Sequence, residues 1–324
     1  MRYCYVGDLQ SWPSPAANDD GITLLISVIR NHLGATGRLG MMMGRETAIR
    51  MPFNDLSALQ GGLDGIDFCD MTDAIQHIRM VKSPAEQAKL THICRLVSGV
   101  FANVPQWVKA GMPLDDLFRQ FKIQALTAGV DDVSYLVGSA GPDGYQDIIA
   151  PPSSRPLAAG DVFMLDTGCV WDGYFSDFDR NFAIHHASDE AHEAHHRLYD
   201  STQAAIDILR PGVTAADLFF AMDAILRPDQ HNSSQHEQIS AVKTGDDGVG
   251  RYGHGLGTQL TEPPSHTDWD QTVITAGMTL TLEPSLGYGN GLTMVAEENL
   301  LVLEDRVVLL STRAPRDLPV IPAW

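Results

Sequence analysis

Cysteine is scarce in this chain: four residues, Cys4, Cys69, Cys94 and Cys169, stand too far apart for any C-x-x-C pair. That spacing excludes a disulfide framework or a zinc knuckle as the organising feature, and the thiols read as reduced and mostly core. Long apolar runs are missing too. None approaches the roughly 18–20 residues that span a bilayer, and the N-terminus lacks a cationic start followed by an apolar segment, so membrane insertion and export are not expected. Positive charge is the third shortage, with 22 Lys and Arg against 41 Asp and Glu and a formal net charge of −19. Nucleic acid and anionic membrane would need a clustered cationic face, so neither is an expected partner. No Walker or dinucleotide-binding glycine pattern occurs. What remains is a soluble, cytoplasmic chain of 324 residues, 44% hydrophobic, able to bury a large core in two unequal domains.

Organisation follows from periodicity and punctuation. ITLLISVIRNHLG (22–34) has helical apolar spacing and ends on Gly34, a C-cap; RLGMMMG and IDFCDM then read as short buried strands. In KSPAEQAKL (82–90), Ser83 is placed as N-cap, Pro84 at the first helical position and Glu86 three residues after the cap. The boundary is set just before this helix, giving domains 1–80 and 81–324. Within the larger domain, VKAGMPLDDLF (108–118) and LRPGVTAADLF (209–219) overlay at an offset of 101, sharing Gly111/Gly212, Asp116/Asp217, Leu117/Leu218 and Phe118/Phe219. Each segment ends one helical run and starts another. Strands follow each helical pair, which predicts an α+β architecture of two duplicated halves with helices outside, sheets inside and a cleft between.

The chemistry sits in carboxylates that the pattern places inside. VFMLDTGCV (162–170) and YFSDFDRNFAI (174–184) read as two strands joined at Asp172-Gly173, the preferred sequence of a tight hairpin turn. If Trp171 pairs with Tyr174, Asp166 faces Asp179, with Asp177 on the same face. Such carboxylates repel unless a cation or proton lies among them; the alternative is neutralisation by Arg180 and solvent at a sheet edge. Further on, His254 stands between glycines in YGHGLG (252–257), a pattern that is more often structural than ligating when taken alone. MTLTLEPSLG (278–287) runs extended into Glu283, and MVAEENLLVLED (294–305) is an apolar strand interrupted by Glu297 and Glu298. One shared cation site would account for all of these acids.

This order resembles the M24 metallopeptidase family: Asp, an eleven-residue step to Asp, a Gly-flanked His, Glu-Pro, then Glu in a last apolar strand. The resemblance covers about residues 80–310 and implies the pita-bread fold of methionine aminopeptidase, aminopeptidase P, prolidase and creatinase. Carried over by position, the metal ligands are Asp166, Asp177, His254, Glu283 and Glu297, with Glu298 as a one-residue-slip alternative. It further implies two divalent ions (Mn, Co, Zn or Fe), a metal-bridging hydroxide as nucleophile, and a homodimer. Glu283 and His254 are then the catalytic pair, with Glu283 shuttling the proton. Asp179 has no counterpart in that pattern, where a neutral residue is usual; it is left as an extra ligand or a partner of Arg180.

Two departures weigh on the substrate. Family peptidases carry one further histidine upstream of the first Asp, where VGSAGPDGYQDIIAPP (137–152) has none, and another in H-E-x-P, where this chain reads TEPP with Thr261 before Glu262. Tyr145, Gln146, Thr261 and His266 are the candidate substitutes. The N-terminal domain is expected to be a shortened version of the creatinase-like one. The leading expectation is cleavage of a small Xaa-Pro peptide; the alternative is a small non-peptide substrate, as in creatinase, ectoine hydrolase or a dimethylsulfoniopropionate lyase. A catalytically silent binding module of the same fold is disfavoured by the complete ligand set.

Overall fold

The computed structural model describes residues 7–228 and 250–323, so Cys4 lies outside the described residues. The chain divides into two compact units at Ile78/Arg79. In the first, α1 (Ile22–Leu33) packs on α2 (Phe53–Gly61) over a parallel pair of strands, β1 (Gly37–Met41) and β2 (Ile66–Asp70). α1 stops where the sequence pattern put it, at Gly34, whose φ of 74° is one that side chains avoid. Leu59, Leu63 and Ile66 form the small core. Trp12 is 47% exposed and bonds Asp20 through its indole N–H, so it is not the core residue its apolar bulk would imply. α3 (Thr72–Met80) carries the chain across the boundary.

The second unit begins with α4 (Pro84–Trp107), and its capping box is complete: the Glu86 N–H bonds the Ser83 hydroxyl while the Ser83 N–H bonds the Glu86 carboxylate. Then come α5 (Leu114–Ala128), β3 (Asp132–Val137), β4 (Ala140–Pro142), β5 (Asp161–Trp171), β6 (Tyr174–Ile184), α6 (Asp189–Ile208) and α7 (Ala215–Leu226). The remaining strands are β7 (His254–Gly255), β8 (Glu262–Ser265), β9 (Thr279–Leu282), β10 (Ser285–Tyr288), β11 (Leu292–Val295), β12 (Glu298–Val302), β13 (Val307–Leu309) and β14 (Val320–Ile321). One sheet runs β14-β6-β5-β3 with β4 also on β5; the other runs β13-β12-β9-β7-β8. α4 and α5 share a core with the first sheet, while α6 and α7 pack with strands of the second.

The duplication is visible in the hydrogen bonds. Gly111 donates to Leu157 O and Gly212 to Ile274 O; Leu157 donates back to Met112 O and Ile274 to Val213 O. Leu114 bonds Arg155 and Ala215 bonds Thr272, and Asp115 bonds Ser153 as Ala216 bonds Asp270. Both glycines have positive φ, 85° and 101°, so each helix pair turns through the same left-handed residue. Asp166 and Glu283 each lie nine positions beyond the paired loop residues Leu157 and Ile274, at equivalent places in the two halves. The hairpin register is as expected from its turn: Trp171 pairs with Tyr174, Asp166 with Asp179 and Gly168 with Asp177. The apolar run 294–305 is not one strand. It breaks at Ala296-Glu297 into β11 and β12, which releases Glu297 from ladder pairing.

Candidate metal centre

Alternation along β5 and β6 puts Asp166, Asp177 and Asp179 on one face, and Gly168, opposite Asp177, leaves room there that Leu260 occupies. The second sheet meets this face through Asn299. Its side-chain carbonyl accepts from the Asp177 N–H at 3.2 Å while its amide donates to the Asp177 carbonyl, so one amide ties the backbone of Asp177 on β6 to β12. Asn181 makes a similar tie to Val295 O, at 2.6 Å. Arg180, 7% exposed, donates to the Glu297 carbonyl, to Thr312 O and to Glu298 Oε2.

Asp177, His254 and Glu297 each bring a ligand atom to a spot where all lie within 4.8 Å of one another. They are 5%, 2% and 1% exposed. Glu283 joins them, with Oε2 3.7 Å from His254 Nε2, and Asp177 Oδ2 is 3.5 Å from the same nitrogen. Of the adjacent glutamates, Glu298 has its oxygens taken by Arg180 at 3.1 Å, the Ser311 hydroxyl at 2.6 Å and the Ala314 N–H at 2.8 Å. Glu297 has a buried oxygen, Oε1, with no hydrogen-bond partner.

The electrostatics fit a cation. Burial lowers the His254 imidazole to about 3, so it is neutral, and its Nδ1 lies 2.9 Å from Gly255 O, which fixes the proton there. Nε2 then presents a lone pair to two carboxylates, an arrangement that repels unless a cation or a proton lies between. Two donor atoms about 2.1 Å from one ion and about 110° apart are separated by about 3.5 Å, which is the spacing found here. Burial, then neighbouring carboxylates, push Asp177, Asp179 and Glu297 well above the usual carboxyl range. For Asp166 the causes are burial and Glu283, opposed by the Tyr135 hydroxyl. Burial raises Glu283 to about 7, with Arg251 acting against it. One imidazole with several carboxylates is a donor set for Mn, Co, Zn or Fe.

The remaining sequence candidates are placed differently. Tyr145 is 2% exposed; its hydroxyl donates to Asn181 Oδ1 and accepts from the Val295 N–H, so a core hydrogen bond uses the group meant for substrate. His266 is fully buried behind Gly253, with Nε2 against Thr281 O, and is closed to a substrate as well. Thr261 is partly open and accepts a hydrogen bond from Arg251 at 3.3 Å. Two residues escaped the sequence reading. Arg251 stands three positions before His254, and its closeness in sequence was the available signal. Tyr135 pairs with Gly168 and so shares the carboxylate face, a fact that depends on a bulge after Val133. Glu262 holds a separate ion cluster with Arg79 and the buried Lys82.

Comparison with known proteins identifies the family and the fold. The family model described as metallopeptidase family M24 matches residues 88–309, more than half of the chain. A Mycobacterium bovis protein named "Probable dipeptidase PepE" is 26% identical over 252 residues, covering 78% of this chain and 63% of its own length. A Lactobacillus delbrueckii protein named Xaa-Pro dipeptidase is 27% identical over 268 residues, covering 82% and 69%. The chain therefore spans under two thirds of the length of the first of these. A solved Thermococcus sibiricus prolidase superposes with a TM-score of 0.82 at 20% identity, covering 98% of this chain and 80% of that one, and the fold is the expected pita-bread arrangement.

Proposed function

The chain belongs to metallopeptidase family M24, and from that premise we propose that it is a dinuclear metal-dependent peptidase acting on small Xaa-Pro peptides. The supporting observation is the lone pair of His254 Nε2 held between the carboxylates of Asp177 and Glu283, with Glu297 beside them. Asp166, Asp177, His254, Glu283 and Glu297 would hold the two divalent ions. When bound, such ions polarise a scissile carbonyl and acidify water. The chain's own residues supply the rest. Glu283 is 17% exposed at its side chain and carries a carboxyl near 7, suited to taking a proton from the attacking water and passing it to the leaving nitrogen. Asp166, partly open like Glu283, marks the side from which substrate enters, with Tyr135 at its edge. Arg251, hydrogen-bonded to Thr261, puts positive charge beside Glu283, where a substrate carboxylate or developing oxyanion can use it.

A second reading, a small non-peptide substrate, is favoured by one observation: Tyr145 and His266 are both closed off in the core. Hydrolysis of Xaa-Pro dipeptides and tripeptides by Mn²⁺-loaded protein, with Asp177→Asn as blank, separates the two. Release that vanishes in the variant supports the peptidase; no release from protein that holds metal refutes it in favour of the second reading. A homodimer, a cytoplasmic location and a creatinase-like identity for the first unit belong to the same proposal. No helix among the described residues is long and apolar enough to cross a membrane.

A further inference from the structure

Asp179 is 1% exposed, and neither of its carboxylate oxygens has a hydrogen-bond partner. Its chain neighbour Arg180 does not supply one. That guanidinium gives its hydrogen bonds to the carbonyls of Asp179, Glu297 and Thr312 and to Glu298 Oε2, and reaches the Asp179 carboxylate only through its charge. Four carboxylates around Asp179 carry its own sign: Asp166 directly across the strand pair, Asp177 two positions along the same face, and Glu283 and Glu297 from the other half. An ionised carboxylate buried without a hydrogen-bond donor costs several kcal/mol. What these acids have in common is the cation that Asp177, His254 and Glu297 are arranged to hold.

We propose that Asp179 is a further metal-binding carboxylate of this centre, able to share an ion with Asp166 across the strand pair. The inference rests on the metal reading of the site above and adds to it a ligand specific to this chain's D-x-D sequence at 177–179. Opposed positions of an antiparallel pair bring Cβ atoms to about 4.5–5.5 Å, close enough for both carboxylates to reach one ion. An added oxygen donor also biases that ion toward Mn²⁺ over Zn²⁺, since oxygen-rich shells suit the former.

The test is Mn²⁺ binding to chelator-stripped full-length protein, measured by titration calorimetry, for the wild type, Asp179→Asn and Asp179→Thr. Thermal unfolding of each variant is followed in parallel. The expected result is a tenfold or greater weakening of one Mn²⁺ event in both variants and an altered visible spectrum of the Co²⁺-substituted protein. Unchanged or tighter Mn²⁺ binding with an unchanged Co²⁺ spectrum overturns the assignment of Asp179, even where the wild type binds metal fully. Failure of the wild type itself to bind Mn²⁺ or Co²⁺ overturns the metal reading on which the inference stands, so the two failures are distinguishable.

Discussion

Glu297 and Glu298 are neighbours of identical chemistry, yet the structure predicts that losing their charges acts in opposite directions. Glu298→Gln leaves Arg180, 7% exposed, without its charged partner in a buried network of four acceptors. Removing one member of a buried pair costs about 3–5 kcal/mol. Ser311 and the Ala314 N–H keep bonds to the side chain, which puts the expected loss near the lower end, about 3 kcal/mol. Glu297→Gln, in contrast, removes a carboxyl held well above its ordinary range by burial and by Asp177, Glu283 and Asp166. A raised carboxyl makes the ionised wild type pay for burial at pH 7.5, so in metal-free protein this variant should be more stable than the wild type. Metal content reverses the ranking: Glu298→Gln should retain Mn²⁺ and Glu297→Gln should lose it. Denaturant midpoints in excess chelator, together with Mn²⁺ content after reloading and desalting, measure both. Stability changes of the same sign in the two variants, or metal retained by Glu297→Gln and lost by Glu298→Gln, would refute the assignment.

Three further outcomes are expected. Burial lowers His195 from 6.5 to about 4, so its neutral form adds stability that is complete above pH 6.5 and lost as pH falls from 6.5 to 4, about 3 kcal/mol in all; pH-dependent melting of His195→Phe should show an acid-side loss smaller by that amount. Arg251→Met should lower kcat/KM on Xaa-Pro dipeptides about 100-fold, corresponding to about 2.7 kcal/mol, while leaving Mn²⁺ stoichiometry unchanged; equal rates for the two proteins would remove Arg251 from the site. Gly253 has φ 126°, and a Cβ there would meet Thr281 O at 2.3 Å, so Gly253→Ala should cost more than about 3 kcal/mol and displace His254, read by calorimetric melting and loss of Mn²⁺ binding.

Much of the site was legible because its signals are local. A Ser-Pro-x-Glu start marks a helix, an Asp-Gly turn sets a hairpin register, and that register alone puts Asp166, Asp177 and Asp179 on one face. The Gly-anchored repeat likewise marked two halves whose turn bonds coincide. Tyr145 and His266 failed as substrate candidates because residue type does not say which way a side chain faces. Burial in the core and bonds to Asn181 and Thr281 do.

The sequence by itself determined the hairpin of β5 and β6 and its register, since period-two alternation and turn chemistry act over a few residues, and the order of its acids and His254 carried the family resemblance. Only the tertiary structure decided between Glu297 and Glu298. That choice depends on Arg180, Ser311 and Ala314, brought from more than ten residues away to satisfy one carboxylate and leave the other facing Asp177 and His254. It also brought Arg251 to Glu283 and left Asp179 with no donor, because long-range packing sets which buried charges are paired and which must find a cation.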